Sequence, residues 1–293
     1  MSELPLVTVV TPSLNHGRFI RETIESVLTQ GYPRIEYLVR DGGSTDETVE
    51  ILKSYGDRLA WVSAPDGGQT QAINAGWRRA QGTIVSYLNS DDTYLPGAVD
   101  TAVQALLAHP RAGAVYGEGY HVDEAGRVID RYPTEPFDMR RLATTCFICQ
   151  PTVFLRRGLV AQLGYLDEGH RYCMDYDLWI RLAKVAPFVH VPEYLATTRL
   201  HPASLTHSQR GPVHAEILDT VYRHFGRVSS HWVYGYASAV LHGVRRRTRW
   251  DDLGFVLRLI GLSLFTFARY RSPVPRSEWR QWRRWIRHAW QTR

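Results

Sequence analysis

The 293-residue sequence has little cysteine and no long apolar run. Its three cysteines, Cys146, Cys149 and Cys173, cannot build a disulfide framework, because one is always left over. Cys146 and Cys149 form a C-x-x-C, but no second pair completes a zinc site, which favours core packing. No N-terminal segment joins a basic stretch, an apolar core and a small-residue cleavage site, since Pro5 and the polar stretch from Thr8 to His16 interrupt it. The chain is therefore expected to stay in the cytoplasm. Leu253 to Phe267 is the most apolar stretch, yet it is broken by Arg258 and too short to span a bilayer. Neither G-x-G-x-x-G nor G-x-x-x-x-G-K-[ST] occurs, so dinucleotide and phosphate-loop fingerprints are excluded. Internal repeats and low-complexity tracts are lacking too.

What remains is an ordinary globular composition, 44% hydrophobic and 22% charged, long enough for one large core and an appendage. The net charge of +6 is unevenly placed: thirteen arginines follow residue 244, against Asp251, Asp252 and Glu278. A basic tail on a mildly acidic body points to an anionic partner for the tail alone.

The first hundred residues alternate between strand and helix. Leu6 to Thr11 is a β-branched run, and Phe19, Ile20, Thr23, Ile24, Val27 and Leu28 follow at helical spacing until Gly31 and Pro33 stop them. Ile35 to Val39, Leu59 to Val62 and Thr83 to Leu88 read as further strands, and Gln69 to Ala80 as a helix. Ser44 and Glu47 have the spacing of a capping box that opens a helix through Ile51 and Leu52. Such alternation predicts a mostly parallel α/β sheet, Rossmann-like, flanked by helices. Beyond Pro110 a hairpin is expected over Val115 to Val122 and Arg127 to Tyr132, then a strand at Pro151 to Leu155 and an amphipathic helix from Asp175 to Ala186. Past about residue 210 strand signals fade into a helical extension. The expected division is a catalytic domain over 1–209, its donor half ending near 110, and an appendage over 210–293.

In open sheets of this kind ligands bind beyond the carboxyl ends of the strands. Here those ends read Thr11-Pro-Ser-Leu-Asn15, Asp41-Gly-Gly-Ser-Thr-Asp46, Asp66-Gly-Gly-Gln69 and Asn89-Ser-Asp-Asp92. Asp91 and Asp92 repel one another unless a cation or solvent intervenes, and hard oxygen ligands suit Mg²⁺ or Mn²⁺ held together with a diphosphate. A plain turn explains the same four residues, but Asp41 and Asp66 bring the acidic strand ends to four carboxylates. The glycines at 42, 43, 67 and 68 allow close approach of backbone to ligand.

These segments, with Asp66-Gly-Gly-Gln-x-x-Ala-x-Asn-x-Gly76 in full, resemble the nucleotide-binding half of family 2 glycosyltransferases. The likeness continues through Gln150 to Phe154, Gly164 to Glu168, Met174 to Leu182 and Arg199 to Ser204, so it covers roughly residues 5 to 207. It implies a GT-A fold and an inverting, metal-dependent sugar transfer from a nucleotide-diphosphate sugar donor to an acceptor hydroxyl. Thr11, Pro12, Ser13, Asn15, Asp41, Asp66, Gly68, Gln69, Asn74 and Asp91 are then the donor-binding set. Asp92 is the main ligand of the divalent cation, with Asp91 beside it and His201 as a further ligand. Many relatives read Glu-Asp where this chain has Met174-Asp175, and their Asp is the general base, a role carried over to Asp175. Asp177 competes for it, and an N-cap is the plain alternative for Asp175. A nucleotidyltransferase would also use an acidic metal site, but Thr11 to Gly17 offers no basic phosphate loop.

The C-terminal stretch sets Trp279, Trp282, Ile286 and Ala289 or Trp290 at three- and four-residue spacing, with Arg276, Arg280, Arg283, Arg284 and Arg287 mostly on other faces. Two readings stand: an amphipathic helix in the headgroup layer of an anionic membrane, or a terminal helix docked by its tryptophans. The first makes the enzyme peripheral at the inner face of the cell membrane, with a saccharide or polyprenol-linked saccharide acceptor in cell-surface glycan assembly. A nucleic-acid partner for the tail would leave the acidic strand ends unexplained, so none is expected.

Overall fold

The computed structural model describes residues 4–202, 204, 209–244 and 248–291, with Arg249 by its backbone alone. The basic run at 245–247, the last two residues, and 203 and 205–207 of the family-like stretch lie outside the described residues. The chain forms two compact units, residues 1–137 with 147–201 and residues 138–146 with 202–293.

The first unit opens with β1 (Val7–Ser13), α1 (Gly17–Leu28), β2 (Ile35–Asp41), α2 (Thr48–Ser54), β3 (Ala60–Ser63), α3 (Gln69–Arg79) and β4 (Ile84–Tyr87). Then come β5 (Thr93–Tyr94), α4 (Ala98–Ala108), β6 (Ala114–Val122) and β7 (Val128–Arg131). After a helical turn, α5 (Met139–Leu142), which belongs to the second unit, the chain returns with β8 (Phe154–Arg156), α6 (Arg157–Gln162), α7 (Met174–Ala183) and β9 (Phe188–Arg199). The sheet order is β3-β2-β1-β4-β8-β6-β9-β5, with β7 on β6. Pairing is parallel from β3 to β4, as expected, and then mixed, because β8 runs antiparallel to both β4 and β6 while β9 pairs parallel to β6.

Every residue of β1 and β4 is buried, so both faces of the central strands are covered. On one side α3 reaches β1 unusually closely at Gly76, where an added Cβ would sit 2.6 Å from Val10 Cγ1. That approach explains the glycine of the Asp66–Gly76 segment by packing. The long strand β9 had no sequence signal: Pro192 and the polar residues around it break the alternation. The proline sits where the β6–β9 register shifts, between the pairs Tyr116–His190 and Glu118–Tyr194, so no ladder bond is lost to it.

The second unit holds α8 (Arg210–Phe225), α9 (Ser230–Val240), α10 (Arg249–Arg269) and α11 (Arg276–Gln291). Gly226 ends α8 in the left-handed region, Ser229 caps α9, and Thr248 with Asp251 forms a capping box on α10. Polar clamps tie the bundle together: the Tyr270 hydroxyl donates to Asp219 at 2.6 Å and the Trp282 indole donates to the Tyr234 hydroxyl at 2.8 Å. None of the described helices is long and apolar enough to cross a membrane.

Candidate active site

The parallel register aligns Ser13 with Asp41 and Asp41 with Ser63, so the ends of β1, β2 and β3 form one edge. Asp41 lies at its centre, buried, and its carboxylate organises the loop beyond: it accepts from the N–H groups of Gly43 (3.2 Å) and Ser44 (2.9 Å) and from the hydroxyls of Ser44 (2.5 Å) and Ser63 (2.6 Å). The expected Ser44–Glu47 capping box does not form, because the Ser44 hydroxyl is committed to Asp41. Asp46 takes its place, accepting from Thr48 N–H at 3.0 Å and from Gly17 N–H, at the start of α1, at 2.9 Å.

Asn15, in the left-handed region, accepts from Thr45 N–H at 2.9 Å and so joins the β1 loop to the β2 loop. Thr11 is buried against the Tyr37 hydroxyl at 3.0 Å, whereas the buried Ser13 hydroxyl has no hydrogen-bond partner among the described residues. Pro12, between them in β1, is buried as well. Asp66 is exposed, accepts from Gly68 N–H at 2.8 Å, and stands 3.3 Å from where a Cβ on Gly42 would lie. Gln69, the first residue of α3, donates to Asn89 at 2.7 Å, and Asn89 donates to Asp92 and Gln150. An amide relay thus links the loops after β3 and β4.

The paired aspartates have unlike surroundings. Asp92 is 2% exposed and both its oxygens are engaged, Oδ1 by Arg199 N–H (2.9 Å) and Oδ2 by the Asn89 amide (3.1 Å). Burial, and then the charge of Asp91, push its carboxyl up to about 8, against the pull of hydrogen bonds from Arg199, Asn89 and Thr198. Asp91 is partly exposed, and its Oδ2 lies 2.9 Å from His201 Nε2. The His201 ring is buried against Phe19 and lies 6.1 Å from that of His16, whose Nδ1 is 2.7 Å from Ser90 Oγ. Arg199 steadies the pair, with Nε donating to the Asp91 carbonyl at 2.9 Å and Nη2 to Glu22 at 2.5 Å. Sequence reasoning passed over His16 and Arg199; a histidine directly before α1 and an arginine two residues before His201 were the available signals.

Two site residues of the sequence reading turn inward. Asn74 is fully buried, with its amide donating to the Leu166 carbonyl (2.9 Å) and to Glu168 (3.0 Å) while its oxygen accepts from Leu166 N–H (3.0 Å). Both N–H donors are spent inside the protein, so Asn74 clamps the 166–168 loop to α3 and has none left for a nucleotide. Asp92 likewise has an internal partner on each oxygen, whereas, among the described residues, the carboxylate of its neighbour Asp91 meets only His201. That pair fits a divalent cation by its chemistry, a carboxylate and an imidazole 2.9 Å apart, with Asp91 Oδ1 lacking a hydrogen-bond partner among the described residues.

Asp175 lies in the first turn of α7, half-buried, and accepts from Tyr176 N–H at 2.7 Å. The loop before it is pinned to the same edge as Asp66 and Gly68, since the Thr70 hydroxyl at the start of α3 donates to the His170 carbonyl at 3.1 Å. Asp177, its rival, is buried and held by Arg181 at 2.7 Å, whose other nitrogens donate to the Leu163 and Tyr165 carbonyls. With His170 and Asp167 it forms a cluster of ligand-type atoms, and its Oδ2 is already engaged by the Arg181 guanidinium. Trp179 is fully buried and belongs to the core.

A parallel sheet, extended by a mixed half and carrying carboxylates in the loops after its strands, is the GT-A arrangement of glycosyltransferases. The family model "Glycosyl transferase family 2" matches residues 8–164, more than half of the chain, and the protein belongs to that family. An uncharacterized glycosyltransferase of Rickettsia prowazekii (strain Madrid E) is 30% identical over 217 residues, 70% of this chain and 67% of the relative. The chondroitin synthase of Escherichia coli is 28% identical over 205 residues, 69% of this chain but 30% of the synthase. Among solved structures, the mannosyltransferase PcManGT from Pyrobaculum calidifontis, in complex with GDP-Man and Mn²⁺, superposes with a TM-score of 0.61 at 18% identity, over 98% of this chain and 85% of its own.

Proposed function

We propose that this glycosyltransferase moves a sugar, with inversion, from a nucleotide-diphosphate sugar to an acceptor hydroxyl in the assembly of cell-surface polysaccharide or glycan. The carrying observation is that the start of α3 is tied on one side to the loop of Asp91, through Gln69 and Asn89, and on the other to the loop before α7, through Thr70 and His170, while Asp91 holds His201. Residues up to about 110 would bind the donor and 111–209 the acceptor, with 210–293 as the appendage. Polysaccharide synthesis by the chondroitin synthase and the GDP-Man and Mn²⁺ in PcManGT support donor class and cation.

The loops around Asp41, Asn15 and Asp66 cradle the nucleoside, and Ser13 offers its unpartnered hydroxyl to it. Asp91 and His201 hold the divalent cation, Mn²⁺ or Mg²⁺. When bound, that cation offsets the charge growing on the departing nucleoside diphosphate. Asp175, at a helix N-terminus that favours negative charge, takes the proton of the acceptor hydroxyl as it attacks the anomeric carbon. A single displacement inverts that centre. Met174, an uncharged and buried side chain, stands where many relatives carry a glutamate and lends Asp175 no charge. The acceptor is a saccharide or a polyprenol-linked saccharide, met at the inner face of the cell membrane.

The test is transfer and hydrolysis from a panel of nucleotide sugars with and without Mn²⁺, with the anomer of the product read by NMR. Metal-stimulated turnover of one donor with an inverted product is expected. Turnover that ignores both chelator and Asp175→Asn would overturn the proposal.

A further inference from the structure

The tryptophan stripe expected on the last helix divides in two. Trp282 (3% exposed), Ala289 and Glu278 face inward, whereas Trp279, Ile286 and Trp290 (54% exposed) face solvent at seven- and four-residue spacing. α10 carries a matching outward row, Trp250 (59% exposed), Leu257 and Phe265 (64% exposed), again about two turns apart. The rows belong to one face: the Trp250 and Trp290 rings meet edge to face at 5.3 Å, and Leu253 lines a shallow groove with Arg283, Ile286, Arg287 and Trp290. Folding buries the inner stripe against Tyr234; it leaves the outer rows uncovered.

The charge that α11 presents to solvent has one sign, while α10 adds the exposed Asp251 beside Trp250. Arg276, Arg280, Arg283, Arg284 and Arg287 are all exposed on α11, and the helix's only carboxylate, Glu278, is turned inward to accept from the Tyr234 hydroxyl. Exposed tryptophan and phenylalanine flanked by arginine match the boundary between acyl chains and phosphate headgroups, where indole rings prefer to lie and each arginine gains from anionic lipid. Neither helix is long and apolar enough to cross a membrane.

We propose that the outer face of α10 and α11 docks on an anionic phospholipid surface, its aromatic rows entering the headgroup boundary and the arginines of α11 binding lipid phosphate. This names the surface by which the protein reaches a membrane, and it stands on the second unit alone, independent of the catalytic assignments.

The test is flotation of the full-length protein with phosphatidylcholine vesicles, with and without phosphatidylglycerol, alongside quenching of tryptophan fluorescence by brominated lipid. Binding to the anionic vesicles, weakened by salt, is expected, with quenching. The variants W279S/W290S and R283E/R287E should each weaken partition by at least about tenfold. Both replace exposed side chains, so circular dichroism and donor binding should stay as in the parent. Equal flotation with neutral and anionic vesicles, or with parent and variants, overturns the proposal. So does a dimer that W279S/W290S dissociates without any vesicle binding, or RNA binding lost in R283E/R287E where vesicles never bound.

Discussion

Asn74 offers the sharpest test of structural against ligand-binding roles. Asn74→Ala removes three hydrogen bonds from a fully buried site and leaves both the N–H and C=O of the buried Leu166 unpaired. Each orphaned group costs about 1–3 kcal/mol, so a loss of roughly 3–5 kcal/mol is expected once the vacated volume is included. For a chain of this size that lowers Tm by roughly 10 °C. Glu168, whose carboxyl is held below its ordinary range chiefly by the Asn74 hydrogen bond and then by Arg78, swings into solvent and keeps its arginine. Because the freed loop leads to α7 and Asp175, kcat should fall further than donor affinity. Thermal unfolding and calorimetric titration of nucleoside diphosphate, both on Asn74→Ala at low temperature, measure the two effects. An unchanged Tm with donor binding weakened tenfold would show that Asn74 serves the nucleotide, refuting the clamp.

The remaining expectations concern charges and packing. Asp91→Asn and His201→Ala should abolish Mn²⁺ stimulation, while Asp92→Asn, which disturbs the hydrogen bonds from Asn89 and Arg199, should mainly cost stability, about 1–3 kcal/mol. Metal titration of the three proteins separates these; equal loss of affinity in Asp92→Asn would restore Asp92 as a ligand. Asp175→Asn should keep donor binding and lower transfer by about 10²–10⁴-fold. Asp177→Asn instead should lower Tm, because the half-buried Arg181 loses its charge partner, and single-turnover kinetics against thermal melts tells these two apart. Gly76→Ala forces a methyl onto Val10 and should cost about 1–3 kcal/mol with donor KM unaltered below Tm.

Much of the site could be read from the chain because the parallel β1–α1–β2–α2–β3–α3–β4 run carries its functional loops at fixed places, after each strand. Strand and helix periodicity located β1, β2, α3 and the β6–β7 hairpin, and Asp41, Asp66 and Asp91 fell at strand ends as expected. The strand β9 was invisible, since Pro192 and its polar neighbours break the alternation and its pairing depends on β6, more than sixty residues earlier. Arg199 stood in the family-like Arg199 to Ser204 segment, but its hold on Asp91 and Asp92 depends on that strand and was hidden with it.

Composition and order of residues therefore determined the fold class, the loops that gather at one edge and the basic, tryptophan-rich end. Which carboxylate stays partly open was decided only in three dimensions: Asp91 and Asp92 are neighbours in the chain, yet one meets His201 and the other is sealed under Arg199. The tryptophans of α11 were sorted in the same way, Trp282 inward onto Tyr234 and Trp290 outward beside Trp250. Residue type sets what a side chain is able to do; desolvation and the partners that folding brings from distant segments set which of those capacities stays open.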